Sequence, residues 1–131
     1  MIHCMKTKGA IIVSLLGDLF SALGNLTGTG KAKLSEAKSS APNSMGCYRI
    51  YYQGRLVYVG KAEDGIRKRF VQYYNGTTAH YPSAQKILEH RDEITVMWQV
   101  LGSREACRST ERRWIEQYRP EWNKQSGWEH D

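Results

Sequence analysis

The tightest local constraint on this chain's folding lies between residues 47 and 60. Two runs rich in β-branched and aromatic residues, CYRIYYQ and RLVYVG, flank Gly54. Such runs favour strands, and a glycine between them permits a tight turn, so a β-hairpin is predicted. Its composition is odd for a hairpin that only fills a core. Tyr48, Tyr51, Tyr52 and Tyr58 are interspersed with Arg49, Arg55 and Lys61, and the chain runs on into a stretch carrying Arg67, Lys68 and Arg69. Phenols set among cations suit a surface that holds phosphates.

Downstream, Asp64 and Gly65 open a helix that runs to about Tyr74. NGTTAHYP reads as a loop, and Pro82 and Ser83 begin a second helix over SAQKILEHRD. ITVMWQV, residues 94–100, is a third strand. Ser103 can cap a last helix that reaches about Tyr118, and Pro120 prevents it from continuing. The order β-β-α-α-β-α predicts an α+β fold, a small three-stranded antiparallel sheet flanked by helices, over residues 46–125. Residues 126–131 are left as a tail.

Upstream the character differs. In residues 9–26, GAIIVSLLGDLFSALGNL, the apolar positions Ile12, Leu15, Leu16, Leu19, Leu23 and Leu26 recur at helical spacing, which predicts an amphipathic helix. It suits self-association or docking of a protein partner. A secretory signal, with Lys6 and Lys8 ahead of the apolar run, and membrane association are rival readings, although Asp18 interrupts the run. Residues 27–44 are rich in Gly, Ser, Thr, Ala and Lys, which is linker composition. Residues 1–45 are therefore expected to form an N-terminal helical appendage with a flexible linker.

The 131 residues bound the chain to one domain with an appendage, and the net charge is +6. Residues 46–128 alone hold fourteen Lys/Arg against nine Asp/Glu. That excess favours a polyanionic partner, nucleic acid or an anionic membrane. Cys4, Cys47 and Cys107 form no CxxC and no Cys/His cluster, so neither a zinc site nor a disulfide framework is indicated, and a reducing, cytoplasmic setting fits. Cys47 and Cys107 read as small buried residues.

The last helix contains an acid where an apolar residue belongs. At about 100° per residue, Cys107, Trp114, Ile115 and Tyr118 all lie within about 60° of Glu111, whereas Glu105 and Glu116 point away. An ionised carboxylate buried without compensation costs several kcal/mol. Glu111 should therefore have a cation nearby, either an Arg or Lys from the hairpin and its helix, or a metal. On the basic helix, Ile66, Phe70 and Tyr73 turn toward the sheet, with Arg69 and Tyr73 one turn apart.

These residues resemble the GIY-YIG endonuclease superfamily, which includes homing endonucleases, some restriction enzymes and the N-terminal nuclease domain of bacterial excision-repair nucleases. The first triplet stands here as Gly46-Cys47-Tyr48 and the second as Tyr58-Val59-Gly60, on adjacent predicted strands. KAEDGIRKRF is similar to the helix that delivers the family's essential arginine, which maps to Arg69, with Gly65 as an extra residue. ERRWIEQYRPEWN resembles the segment that carries the metal-binding glutamate, at Glu111, and a following asparagine, at Asn123. Cys47 and Val59 replace the middle isoleucines. Tyr73 stands where some members have a histidine one turn after the arginine, and His80, in a loop, is a poor substitute for it.

The resemblance implies a metal-dependent endonuclease that hydrolyses phosphodiester bonds in DNA, with RNA left open. Glu111 would hold one Mg²⁺ or Mn²⁺ per active site, and Arg69 would clamp the scissile phosphate. Tyr48 or Tyr58 would orient or deprotonate the attacking water. A free phenol titrates near about 10, so that role needs a neighbouring cation, for which Lys61 is placed by its position after the second triplet. Lys68 and Tyr73 would support phosphate binding, and Asn123 would fix the site rather than join the chemistry. Two other readings stand beside this one. A catalytically silent nucleic-acid-binding module would keep the basic surface without needing Glu111 in its apolar face. A membrane-associated or exported nuclease, acting in defence or as a toxin, would give residues 9–26 the leading role.

Overall fold

The computed structural model describes residues 28–126, with side chains to residue 123. The stretch 9–26 lies outside the described residues. The hairpin forms as expected. Strand β2 (Gly46–Tyr52) pairs antiparallel with β3 (Arg55–Ala62) across a two-residue turn, Gln53-Gly54. Both turn residues have positive φ, 52° and 77°, the conformation that matches the right-handed twist of the flanking strands. The register steps from Ile50↔Tyr58 to Tyr51↔Leu56, so Val57 is an extra residue bulged on β3, immediately before Tyr58.

The sheet has four strands where three were expected, running from β1 (Thr29–Lys33) through β4 (Ile94–Val100) and β2 to β3. The added strand is β1, antiparallel to β4. It is followed by α1 (Leu34–Ser40), which buries Leu34 and Ala37. Both elements fall in the stretch expected to be flexible linker. TGKAK has no β-branched run to announce a strand. What orders it is the free edge of β4, which supplies a ladder of backbone partners and lets tertiary pairing override weak local propensity.

Alternation along the strands divides the molecule into two layers of helix around the sheet. Tyr48 and Ile50 of β2, Tyr58 and Ala62 of β3, and Val96 and Trp98 of β4 face one side. There they pack on α1, α2 (Ile66–Asn75) and α3 (Pro82–Glu89), through Leu34, Ile66, Phe70, Tyr73, Ala84 and Ile87. Cys47 and Val59 face the other side, against Cys107, Trp114 and Ile115 of α4 (Arg104–Tyr118). Each fully buried large apolar side chain contributes about 1.5–3 kcal/mol, so Ile66 and Phe70 pin α2 firmly to the first face. Pro82 occupies the first turn of α3, where its missing N–H costs nothing. Ser103 caps α4, its hydroxyl accepting from the Ala106 N–H at 3.0 Å. The helix stops at Arg119, whose φ of 45° precedes Pro120. Among the described residues no helix is long and apolar enough to cross a membrane.

Candidate active site

The site develops along β3, an edge strand whose outward backbone groups need partners. Asn123, on the short turn Glu121–Ser126 after α4, supplies them at Val59. The Val59 N–H donates to Asn123 Oδ1 at 2.9 Å, and Asn123 Nδ2 donates to the Val59 carbonyl at 3.0 Å. Asn123 is itself buried. Two residues further on, Arg69 takes over, Nη1 donating to the Lys61 carbonyl at 3.1 Å. A side chain from each of two distant segments is thus registered against the same strand.

On the α2 side, Arg69 Nη1 also donates to Tyr48 Oη at 3.3 Å, and Tyr48 Oη lies 2.5 Å from Tyr73 Oη. Phe70 and Tyr73 both meet the Tyr48 ring edge-on. Tyr58 adds a fourth ring, 6.4 Å from that of Tyr48. Burial, reinforced by Tyr73, pushes the Tyr48 phenol well above the usual range, and the Arg69 charge only partly opposes this. Tyr48 therefore keeps its proton through neutral pH. Arg69 is held more firmly charged, chiefly by Tyr48.

Two glycines make this arrangement possible. Gly60 is opposite Tyr48 in the ladder, and a Cβ there would overlap the Tyr48 hydroxyl. A Cβ at Gly46 would overlap the Gln99 carbonyl oxygen and press to 2.8 Å on Ile66 Cδ1. The outer residues of both triplets thus have steric reasons to be what they are.

Glu111 comes from the opposite layer. It is 1% exposed, with both carboxylate oxygens sealed from solvent, on the face of α4 that packs against β2 and β3. The helical-wheel reading of a buried acid is thus met in the structure. Its near neighbour is Cys47, whose Sγ lies 3.1 Å from the Cys107 carbonyl. Burial, the neighbouring Cys107 and the Glu111 charge push the Cys47 thiol up to about 12. Both cysteines are the buried small residues expected. Tyr118, placed on the same stripe by spacing, is instead 39% exposed. Its ring, with that of Trp114, stacks on the Arg49 guanidinium at 5.0 and 4.2 Å.

The remaining candidates divide. Lys61 lies beside Glu63, Nζ to Oε2 at 3.7 Å. Lys68 is exposed and pairs one turn back with Asp64 at 3.9 Å, a solvent-facing contact of little energetic weight. Sequence reasoning passed over Glu63, which also meets Arg104 at 3.7 Å and Arg108 at 3.4 Å. The available signal was the one-turn spacing of the two arginines.

The sequence profile of the GIY-YIG catalytic domain matches residues 44–125. The chain belongs to the GIY-YIG family. Among curated proteins, no relative matches it. Among solved structures, this GIY-YIG chain is similar to the GIY-YIG N-terminal endonuclease domain of UvrC from Thermotoga maritima, bound to its catalytic divalent cation, magnesium. The identity is 26% and the TM-score 0.58, over 70% of this chain and 96% of that one. An asparagine-to-alanine point mutant of that domain, also bound to its catalytic divalent cation, matches at 26% identity and a TM-score of 0.56, over 69% and 93% of the two chains. A tyrosine-to-phenylalanine mutant matches at 25% and 0.57, over 70% and 96%. The GIY-YIG frame is thus a nuclease frame in this chain, with an antiparallel sheet and flanking helices as expected.

Proposed function

We propose that this chain is a divalent-metal-dependent endonuclease that hydrolyses phosphodiester bonds in DNA through Tyr48, Tyr58, Arg69 and Glu111. The observation that carries the reading is the pinning of Arg69 to Tyr48 and to the Lys61 carbonyl, on strands whose other face packs against the helix bearing buried Glu111. Hydrolysis needs an oriented water, compensation of charge on the phosphoryl oxygens and a stabilised leaving oxygen. Arg69 presents a planar guanidinium to the scissile phosphate. Tyr48, protonated, holds Arg69 in place, and Tyr58 orients the attacking water. Asn123 keeps β3 in register beneath them.

Glu111 offers hard oxygen donors of the kind Mg²⁺ takes, and Mg²⁺ commonly retains several waters beside one or two carboxylates. Among the described residues no three His, Cys, Asp or Glu side chains gather into a metal-holding group. Glu111 would accordingly hold one Mg²⁺ or Mn²⁺ together with waters and substrate phosphate. When bound, the cation supplies Lewis-acid stabilisation of the phosphoryl charge and a more acidic water.

Supercoiled plasmid tests the reading. With Mg²⁺ the chain should yield nicked or linear product, chelator should stop it, and Arg69→Ala should cut far more slowly. Plasmid that is bound but left intact in both Mg²⁺ and Mn²⁺ would contradict the assignment.

A further inference from the structure

Three cations converge on one carboxylate at the margin of this site. Glu63 follows β3 directly, and its side chain is only 20% exposed. Lys61 approaches it from the strand, and Arg104 and Arg108 from successive turns of α4. The separations, 3.4 to 3.7 Å, exceed the roughly 2.7–2.9 Å of a charge-assisted hydrogen bond, so these are loose pairs that another anion can replace. Both arginines are more than half exposed and open to a ligand from solvent. Lys61, Arg104 and Arg108 form one basic cluster around the Glu63 carboxylate. It is contiguous with the candidate site, because the carbonyl of the same Lys61 accepts from Arg69.

We infer that Lys61, Arg104 and Arg108 form a second phosphate-binding subsite, for a backbone phosphate of duplex DNA flanking the scissile one, and that Glu63 occupies it in the free protein. This deepens the nuclease reading and rests on it. Glu63 keeps the cations gathered without substrate and lowers affinity by competing with the phosphate. An isolated pair of exposed arginines would be unremarkable surface charge. Their convergence with Lys61 on a half-buried carboxylate, two residues along the chain from the Lys61 carbonyl that Arg69 contacts, gives them a common target.

The test uses the full chain, a mixed-sequence DNA duplex and binding measured across a salt series without divalent metal. Glu63→Gln should bind about threefold tighter or more, since it removes three weak ion pairs that compete with phosphate. Glu89→Gln, the same charge change on α3, should leave affinity near wild type. The double variant Arg104→Gln/Arg108→Gln should bind more weakly, with a log–log salt slope shallower by about 1, for the one phosphate that the subsite neutralises. Glu63→Gln binding no tighter than Glu89→Gln, or an unchanged slope in the double variant, would overturn the subsite, as would a wild type that does not bind the duplex. If Glu63→Gln fails to fold, the double variant decides alone, because its side chains are exposed. Plasmid cutting by the same preparations separates the two claims. Failure of wild-type cutting alone strikes the nuclease reading, whereas normal cutting with unchanged binding in every variant strikes only the subsite.

Discussion

Asn123 holds Val59 by both of that residue's backbone groups, at 2.9 and 3.0 Å, and so acts as a one-residue extension of the sheet. The contact ties the segment after α4 to the middle residue of the second triplet. Asn123→Ala would remove both partners from a buried stretch of strand edge. Each orphaned backbone group costs about 1–3 kcal/mol, so urea unfolding should show a loss of about 2 kcal/mol or more. A loss under about 0.5 kcal/mol would mean that water replaces the amide without penalty.

Tyr73→Phe keeps the ring that packs on Tyr48 and removes the hydroxyl 2.5 Å from it. Stability should fall by about 1 kcal/mol. Plasmid cutting should fall by more than that loss explains, about tenfold, because Tyr48 would orient Arg69 less firmly. Cutting at the wild-type rate would remove Tyr73 from the account.

Gly60→Ala places a methyl group on the Tyr48 hydroxyl. The phenol must then leave its contacts with Arg69 and Tyr73. Overpacking of this kind costs about 1–3 kcal/mol, and the expected readout is a lowered melting temperature together with a severe loss of cutting. Wild-type behaviour in both measurements would show that Tyr48 has another place to go.

The Cys47 thiol gives an alkaline signature. Its folded-state value of about 12 stands above the ordinary 9.0, so between these pH values the unfolded chain has lost a proton that the folded one keeps. Stability should be full below pH 9.0 and decline as pH rises toward about 12, by about 1.4 kcal/mol per pH unit from this group. Cys47→Ala, measured with chelator present, should show a shallower decline. Parallel curves for the two proteins would contradict the assignment.

The hairpin, α2, α3, β4 and α4 could be read from the sequence because each carries its own signal. These are β-branched and aromatic runs, Pro82 at a helix start, Ser103 at a cap and Pro120 at a stop. Glu111 could be read because a single acid on an otherwise apolar stripe conflicts with the cost of burying charge. The strand β1 could not. Its outward Lys31 and Lys33 and small inward Gly30 and Ala32 look like linker, and only β4, more than sixty residues away, makes them a strand. Likewise α1 buries little beyond Leu34 and Ala37, too faint a pattern to separate from a polar tether. The Tyr48–Tyr73–Arg69 contacts follow from one-turn spacing on α2 together with the register of β2. The Glu63 cluster needed the third dimension, because its arginines come from a helix forty residues downstream.

On the proposed mechanism, buried Glu111 serves hydrolysis rather than folding alone. Supercoiled-plasmid cleavage in Mg²⁺ would compare wild type with Glu111→Gln, which retains the side chain's shape and removes its charge, with DNA binding and thermal melting of both recorded. On the proposed mechanism Glu111→Gln should still melt cooperatively, bind DNA at least as well as wild type, and cut at least about a hundredfold more slowly, the scale of a lost transition-state contact. A Glu111→Gln protein that cuts as fast as wild type would contradict it.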